Sequence, residues 1–232
     1  MDSVYKVLLE CGFERINNSP GIVVVHCVPG GGKTSAIRRI LEISSKFRAV
    51  TFGVAETENL SCTAILPATA EAKSRPGEVL IVDEYCIGDW RALNPAVVFG
   101  DPCQGVLTEV LRPDFIKRKT ERFGINTCKL LRTLGFEVYS DKEDLVEFNT
   151  PYEQELEGQV IALGVDAELL LKRHNVPFKS ICCIRGLTFD VVTLVTGVSC
   201  ATEAEPKDLY QCLTRHRRKL LVLNPDAALT AN

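Results

Sequence analysis

The sequence predicts an α/β chain of two successive halves, each built on a parallel sheet. Three observations carry this. Short apolar runs of strand length alternate with segments of helical period along the whole chain, the order that gives parallel sheets joined by right-handed crossovers. The run Val23-Val-Val-His-Cys27 leads into Val-Pro-Gly-Gly-Gly-Lys33-Thr34, a strand feeding a glycine loop that opens a helix. A second apolar run, Val79-Leu-Ile-Val82, stops abruptly at Asp83 and Glu84, about fifty residues after Lys33.

Composition bounds what such a chain can be. With 232 residues, 46% hydrophobic and 25% charged, it has room for one large or two small globular domains. A net charge of −3 and a pI near 5.7 mean that affinity for nucleic acid has to come from a local basic surface. Ten cysteines are scattered through apolar runs with no secretory leader, no Cys-x-x-Cys pair and only three histidines. They read as reduced core thiols of a cytosolic protein, and a zinc site is not expected. No apolar run approaches the roughly 20 residues that span a bilayer.

Residues 1–18 carry Val4, Val7 and Leu8 at helical spacing, which predicts a short amphipathic helix covering the first sheet. A strand follows at 22–26, then the glycine loop, then a helix of about three turns with Ile37, Ile40 and Leu41 inward and Arg38 and Arg39 in solvent. Further strands are expected at 49–54, 78–85 and 96–100, with helix or loop over 59–76. Residues 111–122, led by Pro113 and rich in charge, read as a linker, so the halves are set at 1–112 and 113–232. In the second half a helix at 125–134 with Gly135 as its C-cap precedes a strand at 136–139 and an acidic irregular stretch over 140–157. Strands at 159–163, 180–184, 191–196 and 220–223 alternate with helices at 167–174 and 209–214.

Three adjacent glycines let successive backbone N–H groups converge on an anion, and the helix beginning at Lys33 adds its positive dipole end. In the P-loop pattern Lys33 reaches the β/γ-phosphates and the Thr34 hydroxyl binds Mg²⁺, with Pro29, Gly30, Gly31, Gly32 and Ser35 completing the nucleotide cradle. Cys27 stands where the pattern has its leading glycine. The plain alternative is a glycine-rich turn that happens to hold Lys-Thr. Asp83, at the carboxyl end of its strand, is suited to hold Mg²⁺, and Glu84 to orient or deprotonate the attacking water. Gln104, at the tip of Gly100-Asp-Pro-Cys-Gln104, can sense a γ-phosphate; read plainly the segment is a Gly-Asp-Pro turn.

Taken in order, these motifs resemble the superfamily 1 RNA helicases of positive-strand RNA viruses. Residues 28–34 resemble motif I, 82–84 motif II and 100–104 motif III; Arg122 in Thr-Glu-Arg-Phe-Gly is similar to the motif IV arginine. Arg185-Gly186-Leu-Thr-Phe189 resembles motif V, where the family usually opens Gln-Gly, and Leu213-Thr-Arg215-His-Arg217 resembles motif VI. The resemblance implies a P-loop NTPase of two RecA-like domains with ATP and Mg²⁺ in the cleft between them, Gly186 near the nucleotide, and Arg122 and Arg215 neutralising transition-state charge. A chain that opens at Met1 and closes soon after motif VI further resembles the triple gene block protein 1 family, movement proteins of potexvirus- and carlavirus-type plant viruses. That implies a helicase-like hydrolase that binds single-stranded viral RNA, self-associates and carries genomes through plasmodesmata in the host cytoplasm. It also implies suppression of host RNA silencing, with coat protein, other movement proteins and host silencing factors as partners.

RNA is expected to bind without sequence preference through Lys117, Arg118 and Lys119 and through Arg217, Arg218 and Lys219. A solvated basic face is the plain alternative for the second cluster. Two other functions stay open: a nucleotide-switched RNA-binding or assembly protein without unwinding, and a P-loop small-molecule kinase. Asp-Glu on one strand and Gly-Asp-Pro-x-Gln on the next argue against the kinase.

Overall fold

The computed structural model describes residues 1–57, 63–105, 110–152 and 154–231, in two compact units, Met1–Arg118 and Lys119–Asn232. The division falls after Arg118, not after Arg112. Part of the expected linker is a strand, Phe115–Lys117, that completes the first sheet.

The first unit runs α1 (Asp2–Glu10), β1 (Glu14–Arg15), β2 (Val23–Cys27), α2 (Lys33–Leu41), β3 (Phe47–Thr51), β4 (Leu66–Pro67), β5 (Val79–Asp83), β6 (Val97–Gly100) and β7 (Phe115–Lys117). Among the described residues these strands form a seven-stranded sheet of order β1-β7-β2-β6-β5-β3-β4, parallel except where β1 pairs with β7. Alternation along each strand divides the core. Val23, Val25, Ala49, Ile81, Val97, Phe99 and Phe115 pack with Val4 and Leu8 of α1 and Ile37 and Ile40 of α2. Their neighbours Val24, Val50, Leu80, Val82 and Val98 meet Tyr85, Trp90 and Leu93 on the other face. With β2 paired to β6 and β7 and β3 to β5 in parallel register, the carboxyl ends of five strands share one edge: Cys27, Thr51, Asp83, Gly100 and Lys117. That edge is where parallel sheets place ligands. Of the segment expected as helix or loop, residues 59–62 lie outside the described residues, and the remainder is loop apart from β4.

The second unit runs α3 (Ile125–Thr133), β8 (Leu145–Asn149), β9 (Gln159–Leu163), α4 (Val165–Arg173), β10 (Phe189–Thr196), α5 (Pro206–Leu213) and β11 (His216–Leu223). Its sheet, of order β8-β11-β10-β9, is parallel throughout. Val160, Ala162, Ala167, Leu171, Val195, Leu221 and Leu223 form a buried cluster between α4 and that sheet.

Several expectations change here. Residues 136–139 make only a bridge, Lys119 to Tyr139, because Arg132 Nη1 takes the Val138 carbonyl at 2.8 Å and Phe136 N closes the end of α3 on Leu131 O. The acidic stretch 140–157 contains β8: Val146 and Phe148 supply strand propensity, and Lys219 neutralises Glu147 at 2.9 Å. Residues 180–184 form a 3₁₀ turn, Ile181–Cys183, closed by Cys183 N on Ser180 O. The basic cluster 215–219 is mostly strand, since β11 begins at His216. No helix among the described residues is long and apolar enough to cross a membrane, and the cysteines among them are free thiols.

Candidate active site

The glycine loop is built as its spacing demands. Gly30 and Gly32 sit at φ +74° and +94°, the left-handed region that a Cβ disfavours, and Gly32 is the N-cap of α2. Gly31 N donates to Val28 O at 3.0 Å, and Val28 N to Lys117 O at 3.1 Å, so β7 braces the start of the loop. Pro29 is buried at the loop's base, while Thr34 and Ser35 are exposed on the first turn of α2. Cys27 fits beneath, 2% exposed, its thiol pushed up to about 11 by burial and therefore unreactive.

Lys33 points along the sheet edge, its side chain 12% exposed and its Nζ 3.4 Å from Glu84 Oε1. Burial alone would lower its pKa; Glu84, Cys27, Asp101 and Asp83 outweigh that and hold the ammonium well above its ordinary value. Glu84 reaches it through a left-handed backbone, φ +54°, rare for a residue with a side chain. Gly53 gives Glu84 its space, because a Cβ there would stand 3.2 Å from Glu84 Cγ.

Asp83 is 8% exposed, and its carboxyl is raised to about 7 by burial and then by the neighbouring Glu84 charge. Thr51, opposite it in the parallel register, holds Oδ2 at 3.5 Å, while Oδ1 is buried with no hydrogen-bond partner. A buried carboxylate oxygen without a donor, on the same edge as the Lys33 ammonium, suits a divalent cation, so the residues present fit Mg²⁺. Asp101 is likewise raised by burial; it accepts from Gln104 Nε2 at 2.7 Å and from Cys103 N at 3.0 Å, which fixes the Gln104 amide.

Beneath this edge His26 Nε2 and Tyr85 OH are 2.8 Å apart, and Tyr85 OH accepts from Leu111 N at 3.3 Å. Burial first, then Lys33, lowers His26 to about 4, so it is neutral at physiological pH. Sequence reasoning gave no role to Thr51, Asp101, His26 or Tyr85. Only strand register reveals Thr51.

In the second unit the structure gathers motifs IV, V and VI. Arg122 Nη1 donates to Thr214 O at 3.2 Å. Arg215 is 2% exposed, with Nε on Gln211 O at 2.9 Å and Nη1 on Leu187 O at 3.5 Å. Gly186 is exposed at φ +73°, and Arg185 Nε beside it is buried without a hydrogen-bond partner.

The basic residues expected to meet RNA are largely engaged. Lys117 Nζ donates to Cys11 O at 2.7 Å and lies 3.9 Å from the Cβ position of Gly32, a second ammonium beside the glycine loop. Lys119 pairs with Asp141, Arg217 with Asp190 at 3.6 Å, and Lys219 with Glu157 at 2.6 Å as well as with Glu147. Arg218 is exposed on β11.

Comparison with known proteins places this geometry. The pattern described as the viral superfamily 1 RNA helicase core domain matches residues 23–224. The movement and silencing protein TGBp1 of Poplar mosaic virus (isolate ATCC Pv275) is 42% identical over 98% of both chains; that of Lily symptomless virus is 42% identical over the full length of both. TGBp1 of Chrysanthemum virus B is 38% identical, again over all of both chains. Among solved structures, the Arterivirus nonstructural protein 10 helicase superposes with a TM-score of 0.57 at 18% identity, covering 97% of this chain and 56% of that one. The PRRSV helicase gives 0.55 at 16%, covering 97% and 51%, so the chain spans about half the length of these helicases and the likeness is one of fold. Its core domain and its end-to-end relatives show that the chain belongs to the viral superfamily 1 RNA helicases and, within them, to the TGBp1 movement and silencing proteins.

Proposed function

We propose that the chain hydrolyses ATP with Mg²⁺ and uses the cycle to bind and remodel single-stranded viral RNA. In this reading it carries genomes from cell to cell through plasmodesmata and suppresses host RNA silencing. The observation that supports the chemistry is the convergence of Lys33, Asp83, Glu84 and Asp101–Gln104 on one sheet edge beside a left-handed glycine loop. The name carried by its relatives supports the transport and silencing roles. Host cytoplasm and plasmodesmata as location, self-association, and coat protein, other movement proteins and silencing factors as partners belong to the same proposal.

Each residue then has a task. Loop N–H groups from Gly30 to Ser35 cradle the phosphates, with Pro29 shaping the base of the loop, and Lys33 moves its ammonium from Glu84 to the β/γ-phosphates, which frees Glu84 to accept a proton from the attacking water. Gln104, anchored on Asp101, orients that water through its amide oxygen. Thr34 and Asp83 would hold Mg²⁺, which when bound neutralises charge on the β- and γ-phosphate oxygens. By resemblance to the family, Gly186, Arg122 and Arg215 of the second unit are assigned to the nucleotide, the two guanidinium groups to the charge that spreads over the γ-phosphoryl group.

A switch without unwinding stays as the second reading, favoured by the carboxylate partners of Lys119, Arg217 and Lys219, which leave little free charge for RNA. Comparing ATP hydrolysis with and without single-stranded RNA tests both. Stimulation is expected; hydrolysis indifferent to RNA supports the switch, phosphorylation of an added small molecule a kinase, and no hydrolysis overturns the proposal.

A further inference from the structure

Four of the nine thiols among the described residues are shielded from solvent. Cys27, Cys86, Cys128 and Cys212 are buried, and burial pushes their pKa values up to between about 11 and about 12. Cys182 and Cys183 differ: both are exposed, on the 3₁₀ turn Ile181–Cys183, with their Sγ atoms 3.7 Å apart. Ser180 Oγ lies 3.0 Å from Cys182 Sγ and 3.6 Å from Cys183 Sγ, so one hydroxyl faces both sulfurs. Hydrogen bonds from Ser180 and then from Cys183 hold the Cys182 thiol below its ordinary pKa. An exposed thiol with a resolving thiol in reach is the arrangement of peroxide-oxidised sites.

We propose that Cys182 and Cys183 form a vicinal dithiol that peroxide closes to a reversible disulfide. The Cys182 thiolate attacks peroxide; an S–O bond forms, the O–O bond breaks, and sulfenic acid and water result. The Cys183 thiolate then attacks that sulfur, the S–S bond forms and the S–O bond breaks, releasing a second water. Two thiols lose two electrons and two protons, and one peroxide becomes two waters. Adjacent Cα atoms are about 3.8 Å apart, shorter than the roughly 4.4–6.8 Å usual for a disulfide, so the ring is strained and thiols such as glutathione reopen it. The turn that must adjust is tied to α5, where Gln211 Nε2 donates to Ile181 O at 3.2 Å, and it stands directly before Arg185-Gly186.

Trypsin releases residues 180–185, Ser-Ile-Cys-Cys-Ile-Arg, as one peptide holding both cysteines and no other. The full chain is treated with limiting hydrogen peroxide, its remaining thiols are blocked with iodoacetamide, and this peptide is weighed. The expected product is unblocked and lighter by two hydrogens, about 2 Da, forms about tenfold faster than oxidation of Cys200, and reverts with glutathione. Phenylarsine oxide, which bridges paired thiols, should protect the peptide from iodoacetamide in the wild type but not in Cys182→Ser or Cys183→Ser, each checked for an unchanged melting temperature. A doubly blocked peptide after peroxide, a disulfide to a cysteine elsewhere, or arsenical protection that survives either substitution overturns the proposal.

Discussion

The Lys33 ammonium rests 3.4 Å from Glu84 Oε1, joining the glycine loop to the end of β5 across the edge that also holds Asp83 and Asp101. Lys33 is thus the cation that offsets three carboxylates as well as the expected phosphate ligand. Lys33→Ala should weaken binding of a fluorescent ATP analogue by about 2 kcal/mol or more and abolish hydrolysis. The fold should survive with a loss of about 1–2 kcal/mol in a denaturant titration, because the acids lose their counter-charge. Unchanged nucleotide binding would remove Lys33 from the site.

Glu84 carries strain that its task explains. At φ +54° a side chain costs about 1 kcal/mol that glycine does not incur. Glu84→Gly should therefore be about 1 kcal/mol more stable than Glu84→Ala, while both lower ATP turnover a hundredfold or more. Equal stabilities in parallel urea titrations would show that the left-handed backbone carries no strain.

Asp83 gives a pH dependence with a definite sign. Its carboxyl is raised from 3.8 to about 7, so the folded chain binds the proton more tightly than the unfolded one. That contribution to stability is complete below about pH 4 and is lost as pH rises through about 7. Without Mg²⁺, Asp83→Asn should exceed the wild type at pH 8 by on the order of 2 kcal/mol and match it at pH 4. Melting curves across that range decide it. Mg²⁺ affinity, which needs the carboxylate, should rise about tenfold per pH unit below 7 and level off above.

Arg215, the motif VI arginine, is 2% exposed, and that burial gives it a structural role beside transition-state chemistry. Removing a guanidinium that holds Gln211 O and Leu187 O should cost about 2–3 kcal/mol, unlike Lys33→Ala, along with a fall in kcat of about a hundredfold. Arg215→Lys should rescue neither, since an ammonium lacks the planar fork. Single-turnover hydrolysis alongside urea unfolding separates the two losses.

Lys219 should matter little for RNA. Its ammonium is shared by Glu147 and Glu157, so Lys219→Ala should change affinity for a single-stranded oligonucleotide less than twofold, against a clear loss for exposed Arg218→Ala. A salt titration of both variants checks this, Arg218→Ala also giving the shallower slope.

The site was legible where chemistry dictates residue order. Glycine loops need glycine and strand-end acids need an apolar strand before them, so 30–34 and 83–84 could be read directly. Thr51 could not, because it meets Asp83 only through the β3–β5 register. Lys117, read as part of a basic linker, lies on β7 beside the loop, a relationship that depends on pairing over long sequence separation. Leu145–Asn149 was hidden by its acidic surroundings, and Ile181–Cys183 imitated a strand because cysteine and isoleucine suit strands wherever they are placed. Register and side-chain partners, more than local propensity, account for the misses.

The position of β7 also governs the order in which this protein can fold. The strand carrying the glycine loop is bordered by β6 and β7, so Val23 waits for Val97 and Val25 for Phe115. Both pairings close long loops, the kind of contact that slows folding because chain entropy is lost before any reward arrives. On the ribosome, β2 emerges early and keeps an unsatisfied edge until Lys117 has followed it. Through that interval a valine-rich strand presents unpaired backbone groups of the kind that mispair with other nascent copies, and the sheet is complete on both sides of β2 only when β7, the last strand of the first unit, is inserted beside it.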